Sequence, residues 1–153
     1  ASDVYKRQIQ RQTMIEICHR HLSCVMQAQD AIMFDFMTLC SGPRSTADYI
    51  YLAEQFQRVY LVNVPVMGRG APGKQIVHGI EDSYQREKQD LQEHFLDDEA
   101  RRFIALVDEF YDRSRLLVIS AQAGISDLYQ GQKLAFEYAR TESRLVEMQS
   151  WKR

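Results

Sequence analysis

Two short apolar runs rich in β-branched residues, 59–64 and 116–120, enclose one strongly amphipathic helix, and this triplet leaves few folds open. Between the runs, Phe103, Ile104, Leu106, Val107, Phe110 and Tyr111 recur at steps of three and four. That spacing predicts a helix with a wide apolar stripe, and Asp97 and Asp98 stand where they would cap it. Burying each large side chain is worth roughly 1.5–3 kcal/mol, so the stripe has to pack on a sheet or on another helix. Strand, helix and strand in this order make a βαβ unit, normally a parallel pair with a right-handed crossover. Pro65 closes the first run, since it cannot donate to a ladder.

Upstream, three segments read as strands. Residues 13–18 carry Ile15 and Ile17 on one face, 22–27 carry Leu22, Cys24 and Met26 at period two, and 31–36 form a third. Together they predict an antiparallel meander, with a polar break at Cys18, His19, Arg20 and His21. After Ser41, Gly42 and Pro43, a helix is predicted with Ser45 or Thr46 as cap, Asp48 in its first turn, and Tyr49, Leu52, Ala53 and Phe56 on one face. Residues 125–129 predict a short helical turn ended by Gly131, and 134–151 a final helix. The fold class is therefore α/β: a short N-terminal antiparallel meander followed by a βαβ-type partial sheet with flanking helices. The organisation expected is a tail over 1–12, a meander subdomain over 13–36 and a C-terminal α/β region over 37–153, with a charged insertion at 67–95. The chain opens on Ala1 and residues 1–8 have no apolar period, so that stretch is read as foreign to the fold and the protein is expected to continue upstream.

Composition excludes several classes. The formal net charge of -2 gives no basic field for nucleic acid or acidic lipid, so no nucleic-acid partner is expected. The apolar runs are too short to span a bilayer, and no secretory signal pattern occurs. Cys18, Cys24 and Cys40 cannot all pair with one another, which fits free thiols in a reducing compartment and a cytoplasmic location.

Several motifs suggest chemistry and then weaken. Gly68 to Lys74 has the GxxxxGK spacing of a phosphate-cradling loop, but Gln75 replaces the hydroxyl residue that would hold Mg²⁺, and residues 76–79 start no convincing helix. A surface loop is the better reading. Residues 104–109 end in Asp108 and Glu109 like an acidic Mg²⁺ motif, yet their apolar spacing is helical and puts both acids on the solvated side. Cys18, His19, His21 and Cys24 include zinc-ligand types, but no second spaced pair completes a site, so a hairpin turn is preferred. Cys40 reads as a buried thiol, and His78 and His94 as solvated. Arg140 and Arg144 are four apart and share one helical face, able to grip a phosphate or a carboxylate from another domain. Local pairing with Glu137 and Glu147 is the alternative, and spacing alone favours it.

From Met33 onward the chain resembles the ZapE-like cell-division ATPases, which share a family with the mitochondrial AFG-one-like ATPases. The resemblance lies in FDFMTLCSGPRSTADYIYLAEQF (34–56), VYLVNVPV (59–66), DDEARRFIALVDEFYDR (97–113), LLVISA (116–121) and FEYARTESRLVEMQS (136–150), with residues 13–27 similar to a hairpin the family places before its FDF motif. It implies an AAA-like core whose phosphate loop and acidic Mg²⁺ motif lie upstream of this stretch, so that ATP and Mg²⁺ belong to the full-length protein and no cofactor to the stretch alone. The partners implied are the protein's own N-terminal ATPase half, cell-division proteins and further copies in a homo-oligomer. By analogy of strand and helix order, Ser120 takes a sensor-like position, and Arg140 and Arg144 contact the nucleotide or an adjacent subunit. Two readings remain beside this regulatory role. One is a nucleotide-independent interaction module with insertion 81–94 as partner contact. The other is a small nucleotide binder using Gly68 to Lys74.

Overall fold

The computed structural model describes residues 8–69 and 94–151. Its elements are β1 (Gln10–Ile17), β2 (Arg20–Gln27), β3 (Ala31–Asp35), α1 (Phe36–Cys40), α2 (Thr46–Gln55), β4 (Arg58–Val64), α3 (Asp97–Asp112), β5 (Leu116–Ala121), a 3-10 turn (Ile125–Asp127) and α4 (Ala135–Met148). The strands form one sheet in the order β1-β2-β3-β4-β5. The first two junctions are antiparallel and the last two parallel, so the meander and the βαβ unit are halves of the same sheet.

Register explains the core. The rows Ile32–Val59–Leu117 and Phe34–Leu61–Ile119 run across the three parallel strands. Five of these six side chains are buried and Ile119 packs partly against them, beneath the apolar stripe of α3. Phe103, Leu106, Val107 and Phe110 of α3 are fully buried, with Phe103 set 6.1 Å from the ring of Phe36. The amphipathic spacing in the sequence therefore becomes the helix–sheet contact that holds the parallel strands together.

Three local expectations change. The break between β1 and β2 is only Cys18 and His19, both at positive φ (49° and 68°), while Arg20 pairs with Ile17 inside the ladder. Two left-handed residues match the twist of the flanking strands, so a longer turn is unnecessary. Next, β3 stops at Asp35, whose carboxylate accepts the Met37 amide at 3.1 Å and starts the short helix α1, with Phe36 buried as its first residue. Finally, α3 is preceded by Leu96 in the left-handed region (φ 59°) rather than capped by Asp97. The Asp97 carboxylate is drawn inward instead, accepting the Tyr129 hydroxyl at 3.0 Å and lying 3.0 Å from His94 Nδ1. Asp98 and Glu99 remain in the first turn, where the helix dipole favours them.

Polar contacts lock the periphery. Asp48 is fully buried at the start of α2, where its carboxylate accepts the Ser45 amide at 2.7 Å and Arg20 Nη2 at 2.5 Å. Tyr129 also accepts the Leu134 amide at 3.0 Å, joining the start of α3 to the start of α4. Gly68 (φ 86°) lies so close to Gly131 that an added Cβ would come within 2.4 Å of the Gly131 nitrogen. Its amide donates to Phe95 O at 2.6 Å.

Candidate functional site

Helix α4 presents Arg140 and Arg144 one turn apart, facing α3. Both converge on Asp108. Arg144 Nη1 lies 2.5 Å from Asp108 Oδ1 and Arg140 Nη2 lies 3.3 Å from Oδ2, so each carboxylate oxygen takes one guanidinium. The Arg144 guanidinium also sits 4.6 Å above the centre of the Tyr111 ring, which stacks on Trp151 at 5.6 Å. The Arg144 side chain is 22% exposed and that of Arg140 is 60% exposed.

This geometry corrects two sequence expectations. The arginines pair with Asp108 across the helix interface and not with Glu137 and Glu147 on their own helix; Glu147 accepts the Tyr111 hydroxyl at 2.9 Å. That hydrogen bond, with some burial, pushes the Tyr111 hydroxyl above its usual pKa. Asp108 and Glu109 are also half-buried rather than solvated, and Glu109 is taken by Arg113. The sequence period identified the helices but could not pair them, because the contacts span 32 and 36 residues.

Chemically, the pair is a cationic clamp whose inner half is neutralised. Arg144 has its charge matched by Asp108 and its plane covered by Tyr111, so it fixes geometry. Arg140 spends one nitrogen on a 3.3 Å contact and keeps the rest of its donor fork in water, where a phosphate or carboxylate can be bound in two-point fashion. Ser120 stands apart from them, exposed near the carboxyl end of β5. At the neighbouring strand ends, Asn63 (φ 62°) bulges out of β4 and donates to Asp35 Oδ1 at 2.7 Å.

The expected phosphate motif lies only partly within the described residues. No group of three or more His, Cys, Asp or Glu side chains converges among them. The Gly68 amide, which would begin the phosphate cradle, is already given to Phe95. Residues 70–75 of that motif lie outside the described residues, as do His78 and nearly all of the charged insertion. Cys18 and Cys24 do not meet: Cys18 is exposed at the turn, whereas Cys24 is buried with its sulfur 3.0 Å from Thr13 Oγ1. Cys40 is buried, as expected, and burial pushes its thiol far above the usual range.

The AFG1-like ATPase family model matches residues 2–88 and 90–153 of this chain. The cell division protein ZapE of Escherichia coli is 40% identical over 136 residues, covering 89% of this chain and 30% of that protein. Lactation elevated protein 1 homolog B of Danio rerio is 28% identical over 113 residues, 74% of this chain and 18% of that protein. The chain thus spans less than a third of the length of these curated relatives. No solved structure matches it.

Proposed function

The chain belongs to the AFG1-like ATPase family, and from that premise we propose that it is the C-terminal structural and regulatory part of a ZapE-like, ATP-hydrolysing cell-division protein. ATP and Mg²⁺ are held by residues outside this stretch, and the 153 residues alone do not hydrolyse ATP. We propose a tail, a meander and an α/β region with the boundaries expected from sequence, except that β1 begins at Gln10, inside the expected tail, and we place the protein in the cytoplasm. The three free cysteines fit that placement.

The observation that carries this reading is the unequal treatment of two arginines on one carboxylate. Asp108 and Tyr111 immobilise Arg144, and the exposed Arg140 is left with unused donors beside it. Arg140 contacts the nucleotide half, its phosphates or an adjacent subunit, Arg144 positions it by holding Asp108, and Ser120 serves as a second contact at the strand end. In the full-length protein, Arg140→Ala should lower ATP turnover by roughly tenfold or more and weaken association with nucleotide or neighbouring subunit, read by fluorescent-nucleotide titration and light scattering. Normal turnover and normal association in that variant would remove the role given to Arg140. Absence of turnover in the unmodified full-length protein would remove the ATPase reading itself.

A further inference from the structure

The two edges of the sheet are built differently. At one edge, β1 carries Arg11, Gln12 and Glu16, and Gln12 at φ 52° kinks the strand. Charges and kinks are ordinary means of keeping an edge from pairing. At the other edge, β5 is Leu116, Leu117, Val118, Ile119, Ser120 and Ala121, with no charge, no proline and no residue at positive φ. Such an edge has none of the protection that β1 carries.

Its hydrogen-bonding groups can be assigned by parity. Leu116 N donates to Gln57 O and Gln122 N donates to Val64 O, so the even-numbered amides of β5 face β4. The N–H and C=O groups of Leu117 and Ile119 therefore face outward, where no strand pairs with them among the described residues. Along the same edge runs a groove of about 470 Å³, lined by Leu116, Val118 and Ile119 of β5 and by Glu142, Leu145, Val146 and Met148 of α4, with Gln149 beside them. A strand laid in it would meet backbone donors and acceptors on one flank and mainly apolar side chains on the other, the requirements of strand addition.

We propose that β5 accepts a sixth strand, an extended apolar segment from the part of the full-length ATPase that lies outside this stretch. The proposal rests on the family reading above: the matched stretch is 30% of ZapE, so most of the chain of such a protein is available as an intramolecular partner at high effective concentration. The unpaired edge and the mainly apolar groove, with Glu142 at its lining, set its chemistry as backbone pairing with mostly apolar side chains and no acidic ones.

Residue-resolved amide exchange on the full-length protein tests this. Leu117 and Ile119 should exchange roughly 100-fold or more slower than an unstructured chain. Val146→Lys, at a position 53% exposed, places a charge in the groove and should speed exchange at Leu117 and Ile119 by roughly tenfold or more, while Val118 and Ser120, bonded toward β4, stay unchanged. Free-chain exchange at Leu117 and Ile119 overturns the proposal, and so does protection indifferent to Val146→Lys. Protection that grows with protein concentration, with dimers in light scattering, overturns it in favour of a second copy. Failure of the family reading appears separately, as absence of ATP turnover whatever the exchange pattern.

Discussion

Arg20 reaches across 28 positions of sequence to place Nη2 2.5 Å from Asp48 Oδ2, so the β1–β2 hairpin is tied to the first turn of α2. The two partners differ in exposure: the Asp48 side chain is fully buried and that of Arg20 is 36% exposed. Removing either one has unequal consequences. Asp48→Ala loses charge-assisted hydrogen bonds and should cost about 2 kcal/mol, because the guanidinium left behind can turn to water. Arg20→Ala strands a buried carboxylate and should be the more damaging change. Urea denaturation of both variants gives the order directly.

The same pair makes stability pH-dependent. Burial acts to raise the Asp48 carboxyl, but the hydrogen bond from Arg20, the Ser45 amide and the Arg20 charge outweigh it and hold the pKa below the usual carboxylate range. A group whose folded pKa is depressed contributes stability above its unfolded pKa and loses it as pH falls through the folded one. Stability should therefore decline below about pH 4, and Asp48→Asn should flatten that part of the profile, as followed by melting temperature against pH.

At the α3–α4 interface, Arg144→Ala should lower stability by about 1–3 kcal/mol, since it removes a 2.5 Å ion pair and the cover over Tyr111. Arg140→Ala should change stability by less than about 0.5 kcal/mol, because its side chain is largely solvated. Calorimetric melting of the two variants separates the structural arginine from the exposed one.

Thiol labelling should separate the cysteines. Cys18 is exposed, yet desolvation at the turn and the Asp48 carboxylate raise its pKa, so alkylation should be slow at neutral pH and accelerate as pH rises beyond the ordinary thiol range. Cys24 and Cys40 are buried and should label only in denaturant. Mass spectrometry after timed iodoacetamide exposure reads all three, and early labelling of Cys40 would contradict its place in the core.

Phe103→Ala should cost about 3–5 kcal/mol by opening a hole between α3 and Phe36. Chemical denaturation measures it.

The sheet and its helices were legible because periodicity is local. Alternation marked β1 and β2, apolar runs marked β4 and β5, and apolar residues on one helical face marked α2 and α3. Helix α1 escaped because five residues hold too little of a period, and its start depends on one side-chain acceptor, Asp35. The clamp was legible only by half. Spacing put Arg140 and Arg144 on one face, but their counter-charge lies on another helix, and no rule of i and i+4 reaches Asp108. The recruitment of Asp97 by Tyr129 was hidden for the same reason, since an acid at a helix start is read as a cap unless its tertiary partner is known.

The hydrogen bond from Gly68 N to Phe95 O holds two distant points of the chain side by side. Once two ends are pinned together, each doubling of the chain between them adds only about 0.6 kcal/mol of closure entropy. By closure entropy alone, a change in chain length between two points pinned in this way therefore costs little.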